Sequence, residues 1–255
     1  MNQKTEVIYP KHQLKLIRHC FALICLALLV LLSVSWRPIL SAQKTAPSQG
    51  KPKIIRLDQQ STWRPESVKA EVVDYKGKHA VRVTDAAPLT DTSQKRLLLL
   101  SGTDFRDGVI ELEMAGEPGP NASADARGFV GIAFRIASDV SKFECFYIRP
   151  TNGRADDQLR RNHSAQYVAH PDYPWERLRR EFPGKYESYT DLVPAEWTKV
   201  RVEVRGGRAL LYVNGAQQPT LLVNDLKLGE SSSGGIGLWV GPGTIAHFTG
   251  LSVSQ

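Results

Sequence analysis

The sequence predicts an all-β protein, a two-sheet antiparallel jelly-roll sandwich with a long irregular insertion, preceded by an N-terminal hydrophobic helix. Three observations lead there. Apolar residues recur with period two from Ile54 to the end, with no helical stripe of comparable length. Glycine-containing turns separate the alternating runs. Only Cys145 remains for the domain, so no internal disulfide staples it and stability has to come from a core as large as two packed sheets.

The N-terminal segment comes first. Lys4, Lys11, Lys15 and Arg18 precede the seventeen uncharged residues Cys20 to Trp36, and Ser41 and Ala42 follow; that is the order a secretory signal presents. As a helix the run rises about 26 Å, slightly short of the roughly 30 Å hydrocarbon core. Residues 1–42 therefore read as a signal peptide or membrane anchor. The positive residues ahead of the run keep the amino end in the cytoplasm, so the rest is expected to be secreted, periplasmic or membrane-anchored, outside the cytoplasm. Residues 43–53, QKTAPSQGKPK, read as a flexible linker, and residues 54–255 as the jelly-roll domain.

Strand signals follow in order. VKAEVVDY places Val68, Ala70 and Val72 on one side, and HAVRVT is its short partner across KGK. GVIELEMAG alternates Ile110, Leu112 and Met114 against Val109, Glu111 and Glu113. GFVGIAFRIA carries Gly128 and Gly131, a sign of crowded backbone or a bulge. In KFECFYIRP, Phe143, Cys145 and Tyr147 face opposite to Glu144, Phe146 and Ile148. In WTKVRVEVRGGRALLYVNG, Val200, Val202 and Val204 alternate with charged residues up to Gly206-Gly207, the turn of a tight hairpin. GGIGLWVGPGTIAHFTGLSVS supplies two more strands. Trp63, Trp197 and Trp239, in or beside these strands, are expected to pack in the core.

From Arg149 to Asp191 the alternation breaks. These 43 residues hold six of the chain's 21 aromatic residues, eight Lys/Arg, seven Asp/Glu, His163 and His170. A polar yet aromatic connection of that length costs entropy to order, and such loops bind ligands or act as lids; its aromatic content argues against disorder.

DFRDGVIELEMAG, GFVGIAFRI, FECFYIRPTNG, AEWTKVRVEVRGGRALLYVNG and the glycine-rich ending together resemble the concanavalin A-like lectin/glucanase superfamily, especially its laminin-G-like and 3-keto-disaccharide-hydrolase-like branches, from about Ile54 to Gln255. The resemblance implies the sandwich; it is weak for activity, because the fold hosts lectins, adhesion modules and glycosidases. Family-16-like glucanases carry E-x-D-x-x-E on one strand. Here Glu113 stands where the aspartate belongs and Gly116 where the second glutamate belongs, counted from Glu111, so that mechanism is not carried over, and both glutamates read as solvent-side residues of an amphipathic strand.

A glycosidase uses two carboxyl groups, one protonated and one charged, and a histidine can transfer a proton near neutral pH. The preferred catalytic set is Asp156, His163 and Glu187, each in or beside a segment that can be tied to the sheet. Sugar recognition needs flat rings for the apolar pyranose faces, here Tyr167, Tyr173, Trp175 and Tyr189. It also needs planar polar groups for hydroxyls, here Arg149, Asn152, Asp157, Arg161, Asn162 and Gln166. No metal ligand set is assigned. Laminin-G-like modules often bind calcium, and Asp156 with Asp157 offers oxygen ligands for it, without a loop of EF-hand spacing.

Composition excludes several classes. With 42% hydrophobic and 23% charged residues, 20 glycines and 15 prolines, the chain is neither collagen-like, nor a charged disordered polymer, nor a polytopic membrane protein. Of the net charge of +7, residues 1–42 hold +4, leaving +3 on the other 213 residues with both signs interspersed. No nucleic-acid partner is expected. The expectation is an exported protein that engages a glycan or oligosaccharide and hydrolyses a glycosidic bond by carboxylate and histidine acid-base catalysis, in contact with the membrane if its N-terminal segment stays uncleaved. The alternative is a non-catalytic glycan-binding or adhesion module.

Overall fold

The computed structural model describes residues 50–86 and 95–255, which lie in the unit Ser48–Gln255. The expected N-terminal hydrophobic helix falls outside the described residues, as does most of the linker. Among the described residues no helix is long and apolar enough to cross a membrane.

Strands in chain order are β1 (Lys53–Ile54), β2 (Trp63–Glu66), β3 (Val68–Tyr75), β4 (Lys78–Asp85), β5 (Leu97–Leu100), β6 (Gly108–Pro118), β7 (Val130–Ile136) and β8 (Phe143–Ile148). Helix α1 (Gln158–Asn162), β9 (Ala165–His170), α2 (Trp175–Glu181) and β10 (Glu187–Ser188) follow. The chain ends with β11 (Thr198–Arg205), β12 (Arg208–Val213), β13 (Leu221–Val223), β14 (Gly235–Val240) and β15 (Thr244–Ser254). The first sheet runs β13-β12-β11-β6-β15-β4-β3, with β1 paired to β15; the second runs β10-β9-β8-β7-β14-β5-β2. All these pairings are antiparallel, as a jelly-roll sandwich requires.

Alternation sets the faces of the first sheet. Val200 lies opposite Leu112 and Val202 opposite Ile110, all buried, while Lys199 lies opposite Glu113 and Arg201 opposite Glu111 on the outer side. The β11–β12 hairpin closes through Gly206 at φ +53° with Arg205 paired to Arg208, the left-handed conformation that favours glycine. Trp239 is buried, and Trp63 packs against the core with its Nε1–H donating to the Leu57 carbonyl. Trp197 departs from the expected core position. It follows the parity of Lys199, lies half-buried outside the first sheet and meets Tyr75 edge-on at 5.5 Å; Tyr75 in turn stacks on His247 at 3.5 Å.

The second sheet is different, because every residue of β7 and β8 is buried. Its inner face meets the first sheet and its outer face lies beneath the 149–191 segment. That segment is not an irregular loop. It contributes β9, hydrogen-bonded between β8 and β10, and α2, which packs against β9 with Leu178 fully buried. The difference has a physical reason: five of the six β9 residues are buried, and a strand covered on both faces loses the apolar-polar alternation that marks a half-exposed one.

A charged knot holds one end of the sandwich. Arg135, at φ +53° and with no exposed side-chain surface, donates to the carbonyls of Arg106, Gly206 and Gly229, to Asp107 Oδ1 and to Glu144 Oε2. Glu144 also accepts from the Tyr167 hydroxyl and from Leu228 N. Two strands of the second sheet are thus tied to a hairpin of the first and to the two loops that cross between the sheets.

Candidate functional site

The site is built on the outer face of the second sheet. Tyr147 and Gln166 sit opposite each other on β8 and β9, and Arg149, two residues past Tyr147, repeats its direction. Gly131 lies opposite both Tyr147 and Trp239. A Cβ there would stand 2.5 Å from the Phe146 carbonyl oxygen and 2.6 Å from Tyr147 Cβ, so glycine is what lets the Tyr147 and Trp239 rings meet, 4.8 Å apart. The Arg149 guanidinium covers the Tyr147 ring at 4.8 Å and the Phe129 ring at 5.9 Å. It donates to the His163 carbonyl (2.8 Å), the Tyr147 hydroxyl (2.8 Å) and Gln166 Oε1 (3.1 Å). Burial pushes the Tyr147 phenol up to about 12.

The rim comes from the 149–191 segment. Asp157 caps α1 by accepting from Arg160 N. Asn152 donates to the His163 carbonyl and accepts from Arg160 Nε. At the end of α1, His163 presses its Nδ1 against the Glu187 carboxylate. Arg179 grips the same carboxylate with two bonds, 2.8 and 3.1 Å, and stacks 4.6 Å over Trp175, one helical turn earlier in α2. Burial, reinforced by Arg179 and Arg149, pushes His163 down to about 4. The imidazole is therefore neutral near pH 7. Tyr189, 41% exposed, receives a bond from Arg161 Nη2 and lies 5.0 Å under that guanidinium.

The structure brings together Arg149, Gln166, His163, Glu187 and Trp175, with Asn152 as a brace and Arg161 with Tyr189 as a second stacked pair. Asp156 is exposed, whereas His163 and Glu187 meet, so of the three residues expected to act together the structure joins two. Asn162 is exposed and its Oδ1 accepts from Gln158. Tyr167 lies in the core, its hydroxyl bonded to Glu144 and to Lys227 N, which leaves no ring face for a ligand. Tyr173 faces Arg177 and Lys227, at 4.4 and 5.3 Å. Lys227 also lies over Phe182 and Tyr186 at 4.9 Å and bonds Asp225; burial, which would raise Asp225, is outweighed by bonds from Lys185, Tyr186 and Lys227 that hold it at about 2.

Sequence reasoning missed Arg179 and Phe129. For Arg179 a signal was present: Trp175, Leu178 and Arg179 share one face at helical spacing. Phe129 carried none, since its partner Arg149 is twenty residues away.

Glu111 and Glu113 open onto a depression of about 410 Å³ outside the first sheet, with Lys199, Arg201 and Tyr212. Glu113 is ion-paired to Lys78, and Arg201 reaches Glu111 at 3.6 Å. They are solvent-side residues, as expected. Among the described residues no three His, Cys, Asp or Glu side chains gather as metal ligands.

No family model matches this chain, and no curated protein matches it in sequence. Solved structures do. A Bacillus subtilis protein of unknown function with a galectin-like fold aligns at 14% identity over 82% of this chain and 97% of that one, with a TM-score of 0.53. The carbohydrate-binding module CBM66 from Bacillus subtilis aligns at 12% identity over 74% and 93%, TM-score 0.46. A Bacillus licheniformis beta-glucanase aligns at 10% over 82% and 100%, TM-score 0.44. What the first of these shares with this chain at such identity is the fold, which by itself assigns no activity.

Proposed function

We propose that this protein is exported and that the 149–191 face binds a glycan without hydrolysing it. The observation that carries the reading is the state of Glu187. Its carboxylate is buried, gripped twice by Arg179 and pressed by His163, while Asp156 is exposed. A hydrolase needs two carboxyl groups flanking an open bond; here one is committed to holding the rim together. The half-exposed Trp175 and the exposed Tyr189, each stacked on an arginine, offer flat apolar faces with donors beside them, the combination that pyranose rings accept. Export rests on the basic, apolar and small-residue order of the first 42 residues.

The test pairs a mixed polysaccharide binding screen with an assay for released reducing sugar. Trp175→Ala and Tyr189→Ala should each weaken binding at least tenfold with the fold intact, and the parent should release no sugar. Turnover lost in Glu187→Gln would replace the binding reading with hydrolysis. Binding unchanged in both aromatic variants would remove this face as the site. A reporter active only in the cytoplasm, fused after Lys53, should stay silent; strong activity would overturn export.

A further inference from the structure

Three guanidinium groups on this face bond no carboxylate. Arg149, only 5% exposed, donates to a carbonyl, a phenol and an amide oxygen. Arg160 donates to Asn152 Oδ1 (3.0 Å) and Thr151 Oγ1 (3.3 Å). Arg161 donates to the Tyr189 hydroxyl, and its Nε is buried with no acceptor. The first two are physically joined, because the His163 carbonyl accepts from both Arg149 and Asn152, and Asn152 accepts from Arg160. Arg161 is the next residue of α1.

Among the described residues no nearby acid forms a hydrogen bond or ion pair with them, and Asp191, the acid within electrostatic reach of Arg161, is bonded elsewhere. Asp191 is held by two bonds from Arg154, Glu187 belongs to Arg179 and His163, and Asp157 caps α1. Glu176 is exposed and influences Arg149 and Arg179 without bonding either. Arg127 adds a further guanidinium that Arg160 and Arg149 repel; its own acid, Asp125, is 3.5 Å away and almost wholly exposed. A guanidinium withdrawn from water is favourable where an anion meets it, and its planar fork matches a carboxylate or sulfate.

We infer that the bound saccharide is acidic, and that carboxylates or sulfates repeated along it are received separately by the unfilled N–H groups of Arg160, which Asn152 joins to Arg149, and by those of Arg161 beside Tyr189. This rests on the reading of the 149–191 face as a saccharide site. It goes beyond that reading by assigning the ligand's charge and the residues that select it.

Matched probes separate the two claims. Polygalacturonate and its fully methyl-esterified form, and heparin and its desulfated form, are titrated against the full chain by calorimetry. At least one acidic member should bind ten times or more tightly than its neutralised partner. Arg160→Gln and Arg161→Gln should each erase at least tenfold of that preference, while Lys69→Gln, exposed on β3 of the other sheet, should change it less than twofold. Near-ultraviolet circular dichroism confirms that each variant is folded. Equal binding of acidic and neutralised forms, lost in Trp175→Ala, would sink the inference and keep the saccharide site. An equal loss in Lys69→Gln would reduce the preference to general charge attraction and overturn it. Binding of no member, with no neutral polysaccharide bound either, would overturn both.

Discussion

Two buried arginines divide this molecule into a part built to hold and a part built to receive. Arg135 makes five hydrogen bonds, two of them to the carboxylates of Asp107 and Glu144. Arg149, on the opposite face of the same sheet, makes three, all to neutral oxygens, and rests on Tyr147 and Phe129. A guanidinium has five N–H donors, so the first is saturated and the second is not. The difference teaches that burial alone does not reveal what an arginine does; the charge and number of its acceptors do.

The comparison is broken most directly at Arg135. Arg135→Ala should cost about 3–5 kcal/mol, the scale for leaving a buried carboxylate unpaired, read from the urea midpoint. A cost near that of a surface substitution would mean that the knot is not what secures this end of the sandwich. Arg149→Met should cost less, about 1–3 kcal/mol, because the aromatic floor accepts the thioether and only neutral oxygens lose a donor. If Arg149→Met proved as damaging as Arg135→Ala, the division between the two arginines would fail.

Acid titration sharpens the contrast between the two outer faces. His247 is held at about 4 by burial, with Arg82 lowering and Glu71 raising it, and His163 is also held at about 4. Both folded values lie below the ordinary 6.5, so the unfolded chain takes up protons first. Stability should be full above pH 6.5 and fall as pH drops toward 4. Urea unfolding at pH 7 and 4.5 measures this, and His247→Gln should flatten the decline. A stability rising with acid across that window would contradict the burial of both imidazoles.

The smallest expected effect concerns the exposed rim. Arg154 and Asp191 pair at 2.7 and 2.9 Å with both side chains more than half exposed, and a double-mutant cycle should give a coupling barely above measurement error. A coupling several times larger would show that this ion pair, too, is part of the holding architecture.

Legibility in the sequence followed solvent exposure. The strands Val68–Tyr75, Gly108–Pro118 and Thr198–Arg205 each keep charged or polar residues on one side, and their alternation announced both their existence and the inward direction of Val202. The strand Ala165–His170 and the run Leu97–Leu100 are covered on nearly every side, and neither carried a readable period. The 149–191 segment was marked by its concentration of aromatic and charged residues. Of the residues singled out there, Trp175, Tyr189 and Arg161 do form stacked pairs on the surface, whereas Tyr167 points into the core.

By itself the sequence determined the fold class, the Gly206 hairpin and the bounds of the segment that breaks the alternation, because alternation, turn chemistry and composition are properties of neighbours along the chain. Only the tertiary structure decided that Glu187 would be spent on Arg179 and His163, that Asp156 would be left exposed, and that Arg149 would be buried with no acid bonded to it. Those outcomes depend on the register of β8, β9 and β10 and on where α2 docks. Pairings between residues distant in sequence are set by packing, and packing has no local period to read.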